Sequence, residues 1–108
     1  MHRLIFDWES TKTLPALFLA KEDFINADGV KFTNNLQSEP LLLYTPRFDI
    51  KFQVACLVMY TSQYLGDEDD QPTTSRYWMT EEDEIYEEDI RAWAYIPELN
   101  KIKEVWGE

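Results

Sequence analysis

From Phe48 to Tyr60 every even position is apolar: Phe48, Ile50, Phe52, Val54, Cys56, Val58 and Tyr60. Asp49, Lys51 and Gln53 alternate with them, so the run reads as a half-buried strand of period two. From Ala55 onward the odd positions Ala55, Leu57 and Met59 are apolar as well, the pattern of a strand covered on both sides. The whole span is too long for one ordinary strand, which predicts a bend or bulge within it. The chain is therefore expected to organise itself around a sheet.

Other segments fill in that expectation. Arg3 to Trp8 alternates weakly, as in a short strand. Leu14, Leu17, Phe18, Lys21, Phe24 and Ile25 fall at helical spacing, with Thr13 as the cap and Pro15 in the first turn. Asp28-Gly29 reads as a turn, Val30 to Phe32 as the start of a strand, and polar Asn34 to Pro40 as a loop. Leu41 to Thr45 is a strand ended by Pro46, and Gly66 to Pro72 is a charged loop. Arg76 to Thr80 and Ile90 to Ile96 read as strands, the latter stopped by Pro97. Leu99, Ile102, Val105 and Trp106 have roughly helical spacing. The fold predicted is α+β: a small antiparallel sheet of about four strands, one N-terminal helix packed on one face, and a short C-terminal helix. Residues 1–108 are read as a single domain, since this length leaves no room for two cores.

Charge is spread unevenly. The formal net charge is −11. Residues 1–65 hold 7 acidic and 6 basic side chains, whereas residues 66–108 hold 14 and 4. A chain this negative is repelled by nucleic-acid phosphates and by anionic membrane faces, so its expected partners are basic protein surfaces and not nucleic acid or membrane. With hydrophobic residues at 44% and aromatic ones at 15%, the composition is not that of a disordered acidic tail. High solubility without any charged partner is the plainer meaning of the same charge.

Residues that carry chemistry are few. His2 is the single histidine and Cys56 the single cysteine, so Ser-His-Asp and Cys-His catalysis, zinc ligation and an intrachain disulfide are not expected. Cys56 lies between Val54 and Val58 in the alternating run, the setting of a buried structural thiol. Asp67, Asp69 and Gln71 match the first ligand positions of a helix-loop-helix calcium site, but Pro72 stands where that template needs glycine and Trp78 where it needs glutamate. Glycines occur at 29, 66 and 107 alone, which excludes glycine-rich nucleotide loops. No enzyme activity, metal or cofactor is expected. MHRLIFDWES has no long apolar stretch after its basic residue and no run is long enough to span a bilayer, so the expected location is the cytoplasm.

What remains are two acidic clusters. The first is Asp67, Glu68, Asp69 and Asp70. The second is Glu81, Glu82, Asp83, Glu84, Glu87, Glu88 and Asp89, with Tyr86 among them: seven acids in nine residues. Residues 81–89 read either as a loop or as a helix capped by Thr80, in which Glu84 and Glu88 would repel one another at i, i+4. Both clusters flank the strand at Arg76 to Thr80, which places them near one edge of the sheet. Dense carboxylates on a firm surface would fit a basic groove built for the phosphates of nucleic acid. Tyr77, Trp78, Tyr86, Trp93 and Tyr95 lie among or near them, a composition shared by binding hot spots and by small aromatic cores. Trp78 and Trp93 are expected in the core as a cross-strand pair.

One resemblance supports the sheet. Pro40-Leu41-Leu42-Leu43-Tyr44, then Val54 to Tyr60, then Tyr77-Trp78, then Trp93-Ala94-Tyr95-Ile96-Pro97 follow one another in an order that resembles a family of small phage and prophage domains of unknown function. Those domains close on a Trp-x-x-x-Pro motif, from which Ala94 and Tyr95 depart in detail. The resemblance implies a compact sheet and a bacteriophage or mobile-element origin. The function expected is that of a non-enzymatic acidic protein that binds a basic, nucleic-acid-binding surface of a host protein as an inhibitor or DNA mimic. The alternative is a viral structural or assembly protein that self-associates through aromatic surface.

Overall fold

The computed structural model of the protein describes residues 6–97. They form eight strands: β1 (Phe18–Lys21), β2 (Phe24–Ile25), β3 (Val30–Gln37), β4 (Leu41–Tyr44), β5 (Phe52–Tyr64), β6 (Thr73–Met79), β7 (Glu84–Ile85) and β8 (Ala92–Tyr95). A single 3-10 turn spans Glu87–Asp89, and there is no α-helix among the described residues. The α+β expectation is therefore corrected to a nearly all-β fold with about twice the expected number of strands, all in one antiparallel sheet. The expected C-terminal helix, with Leu99, Ile102, Val105 and Trp106, lies outside the described residues, as do His2 and the start of the expected strand at Arg3; the described end of that segment, Phe6 to Trp8, is not a strand.

The helix expected between Leu14 and Ile25 is replaced by β1 and β2, which pair with β3 (Phe18 with Gln37, Phe24 with Phe32). The turn after β2 decides this. Asn26 Oδ1 accepts the N–H groups of Asp28 and Val30, both at 3.0 Å, and Gly29 takes a φ of 80° that glycine adopts without steric cost. This turn returns the chain directly against itself. Long-range ladder hydrogen bonds then outweigh a helix preference worth only a few tenths of a kcal/mol per residue.

β5 is the spine. On one edge it pairs first with β4 (Tyr44 with Phe52 to Leu41 with Ala55) and then with β3 (Gln37 with Val58 to Val30 with Tyr64). On the other edge it pairs with β6, from Cys56 with Met79 to Ser62 with Thr73. β3 and β4 thus run as one interrupted line beside β5, and the segment expected as a loop from Asn34 is strand as far as Gln37. The interruption is closed by Ser38, whose N–H donates to Leu57 O and whose Oγ accepts Leu57 N–H, each at 2.9 Å. The bulge expected in the long run lies on its partner: the β3–β5 register shifts between Thr33 and Leu36, where Asn34 has a φ of 50°. Phe48 and Ile50 belong to the turn before β5, not to the strand.

Residues in register share a face of the sheet. Ala55 and Leu57 are buried, together with their neighbours Leu41 and Trp78; Leu43, Ile85, Ile90 and Trp93 complete the same cluster. Trp93, opposite Leu43 on β8, donates its indole N–H to Ser10 O and Thr13 O at 3.1 and 2.9 Å, which ties the N-terminal segment over the core. Trp78 and Trp93 are both core residues, but they are not a cross-strand pair: Trp78 stands opposite Leu57 and Ile85. The odd face of β5 is the core face; on the even face Trp8 lies against Tyr44 and Phe52 at 6.5 and 6.1 Å between ring centres, and from Val54 onward no element covers that face among the described residues.

Candidate interaction surface

The open face carries a band of rings across four strands. Phe24 on β2 stacks on Phe32 of β3 at 4.9 Å between ring centres. Phe32 meets Tyr60 of β5 at 5.6 Å, and Tyr60 meets Tyr77 of β6 edge-on at 6.2 Å. Cross-strand neighbours on one face touch in this way, and each such aromatic pair adds stability beyond its buried area. Beside the band, Val54, Cys56, Val58 and Met79 extend the apolar surface, and with Phe24, Phe32, Tyr60 and Tyr77 they line a groove of about 680 Å³. Val54 is 50% exposed and Met79 45%. Cys56 is half-buried on this face and is not a core residue, contrary to the expectation from its aliphatic neighbours.

Carboxylates stand at the β6–β7 side of the groove. Glu81 lines it directly. Glu84 pairs with Met79, which pairs with Cys56, so Glu84 shares the open face. The turn that carries Glu81 and Glu82 is fixed by Thr80, whose Oγ1 accepts the N–H groups of Glu82 and Asp83 at 3.2 and 2.9 Å and donates to Asp83 O at 3.0 Å. Thr80 thus caps a tight turn and not the helix that residues 81–89 offered as one option. Glu84 sits in β7 and Glu88 in the 3-10 turn, so their expected helical repulsion does not arise.

The two acidic clusters are not brought together. Asp67, Glu68, Asp69 and Asp70 lie in the turn before β6, and Glu81 to Asp89 follow its far end. Seven strand residues separate them, which is roughly 20 Å at the usual strand rise. Within the first cluster, Asp67 Oδ1 accepts Asp69 N–H at 2.9 Å and Asp70 Oδ2 accepts Tyr64 N–H at 2.8 Å. These two carboxylates hold the turn.

Glu87 also has a structural task. Its Oε2 takes the Arg76 guanidinium at 2.9 Å and its Oε1 the buried Trp78 indole N–H at 3.0 Å. Partial burial pushes the Glu87 carboxyl up, but the bonds from Arg76 and Trp78 outweigh it and hold the group below its ordinary value. Asp89 lies 3.5 Å from Arg47, a loose pair at the surface. Tyr86 is 66% exposed beside this turn. Glu68, Asp69, Glu81, Glu82, Asp83, Glu84 and Glu88 have no ion-pair partner among the described residues.

The charge pattern of the sequence pointed to Glu81 to Glu84, but it missed the groove that they border. The signal was present in the even positions of β5. It became a surface because no helix covers that face among the described residues. None of the described helical residues forms a segment long and apolar enough to cross a membrane. Compared with known protein families, curated proteins and solved structures, the chain matches none.

Proposed function

We propose that this is a non-enzymatic interaction protein that captures a basic segment of a partner protein on its open sheet face. The observation that carries the reading is the exposed apolar groove with Glu81 and Glu84 on one side. An uncovered face of this kind is costly to leave in water and is the usual mark of a binding surface. Carboxylates at its border favour basic partners and steer their approach. Given the phage-type order of motifs, the partner is a host protein, and inhibition of a nucleic-acid-binding factor through its basic residues is the concrete form. Because the acidic residues form two separate groups, capture is local to the groove and does not follow a continuous row of charge.

The test is capture of host-lysate proteins at low and high salt, by wild type and by Glu81→Lys/Glu82→Lys/Glu84→Lys. Basic proteins retained at low salt, released at high salt and lost with the triple variant support the reading. A retained set that is indifferent to the reversal sinks it.

A second reading, self-association as a viral assembly protein, is favoured by one feature. β1 is exposed along its whole length, with Phe18 59% and Leu19 70% exposed, and its outer edge has no strand partner among the described residues. Such an edge is a template for pairing with another chain. Light scattering that shows salt-insensitive oligomers would select this reading.

A further inference from the structure

This inference rests on the reading above and specifies the chemistry recognised. We propose that the groove takes an arginine side chain from an extended segment of the partner, with the guanidinium plane laid on the Tyr60–Tyr77 end of the aromatic band and its N–H groups directed to Glu81 and Glu84. Three observations converge on that group. The band presents ring faces and edges at spacings of 4.9 to 6.2 Å. The chain already seats one of its own cations on this band, Lys21 Nζ lying 5.8 Å from the centre of the Phe24 ring. At the opposite end the border is acidic and holds no cation among the described residues.

Ring face and carboxylate together select the guanidinium. It is planar, stacks on aromatic rings, is weakly hydrated and bonds carboxylates in a two-pronged way, whereas an ammonium is a compact, strongly hydrated point charge. The remainder of the groove is mostly apolar, with Lys21, Asn35, Gln37 and Thr80 also in its lining. Alternate residues of an extended segment point to one side, so the residue two positions from the arginine would lie over Val58 and Met79. The volume of about 680 Å³ holds several side chains and not a single ion.

The experiment is calorimetric titration with two blocked pentapeptides. One has arginine at its first and fifth positions, leucine at its third and serine between; the other has lysine in place of arginine. Wild type is expected to bind the arginine peptide about fivefold more tightly, the order of one ring–guanidinium contact. Tyr77→Leu removes that preference and Tyr77→Phe keeps it. Glu81→Gln/Glu84→Gln, at exposed positions that do not threaten the fold, weakens both peptides. Occupancy by the arginine peptide also slows alkylation of Cys56, which lies in the groove. Equal affinity for the two peptides, or an arginine preference that survives Tyr77→Leu, overturns the arginine proposal. If both peptides bind equally and both are lost with Glu81→Lys/Glu84→Lys, the capture of basic segments still stands. If neither peptide binds, both readings fall.

Discussion

The indole N–H of Trp78, fully buried in the core, donates to Glu87 Oε1 at 3.0 Å, so that one acid of the cluster at residues 81–89 reaches back and closes the hydrophobic interior. Arg76 holds the other oxygen of the same carboxylate at 2.9 Å. A residue that charge alone would assign to a partner is thus occupied in joining the 3-10 turn to β6.

Removing that acceptor strands a buried donor. Glu87→Ala is expected to cost about 1–3 kcal/mol, whereas Glu87→Gln keeps an acceptor for Trp78 and costs less. Each kcal/mol corresponds to a fall of roughly 4–8 °C in the melting temperature of a domain of this size. Thermal unfolding followed by near-ultraviolet circular dichroism reads both, because the Trp78 environment changes with the loss.

The same contact makes stability depend on pH with a definite sign. The Glu87 carboxyl is held below its ordinary value of 4.5, so the folded state binds that proton less readily than the unfolded chain. Its contribution is complete above the unfolded value and is lost as the pH falls through the folded one. The stability difference between wild type and Glu87→Gln is therefore expected to be largest near neutral pH and to shrink on acidification into that range. Denaturant titrations along a pH series that show a constant difference would contradict it.

The two faces of β5 answer differently to truncation. Leu57 is fully buried opposite Trp78, so Leu57→Ala is expected to cost about 2–5 kcal/mol. Val54, half-exposed on the groove face, is expected to tolerate alanine within about 0.5 kcal/mol. Urea unfolding of the two variants distinguishes the faces. Equal losses would mean that the even face is covered in solution.

At the far end of the β4–β5 hairpin, Thr45 is fully buried and its Oγ1 accepts the Gln53 side-chain amide at 3.0 Å and lies 3.0 and 3.2 Å from Ile50 O and Lys51 O. Thr45→Val keeps the shape and orphans those groups, for an expected loss of about 1–3 kcal/mol. Hydrogen exchange should show faster opening of the turn from Pro46 to Lys51 in that variant.

Gly66 meets the ring of Tyr64, and a methyl group there would collide with it. Gly66→Ala is expected to displace the Tyr64 ring, read as a change in tyrosine fluorescence or in the ring proton shifts, while the remote Trp78 core signals stay in place.

Much of the sheet was legible from residue order. Leu41 to Tyr44, the alternation through Tyr60, the strand around Trp78 and that around Trp93 are local patterns, and period two together with proline and glycine punctuation specifies them. The gathering of acids after Met79 was legible too, since charge is a property of composition. Two things were not. Leu14 to Ile25 has apolar residues at helical spacing, and only the return of the chain at Asn26 and Gly29, which brings Phe24 against Phe32, makes it strand. The alternation with Asp49, Lys51 and Gln53 also marked the even side of β5 for burial, whereas the core lies on the odd side, and from Val54 onward both sides are apolar. Tertiary structure decided between them. Trp78, Leu41 and Leu43 meet on the odd side and Trp93 closes over them, while the rings of Phe24, Phe32, Tyr60 and Tyr77 line up on the even side with no further layer to cover them among the described residues. Local pattern says which residues seek burial; which of two equivalent faces is buried depends on contacts between residues far apart in the chain.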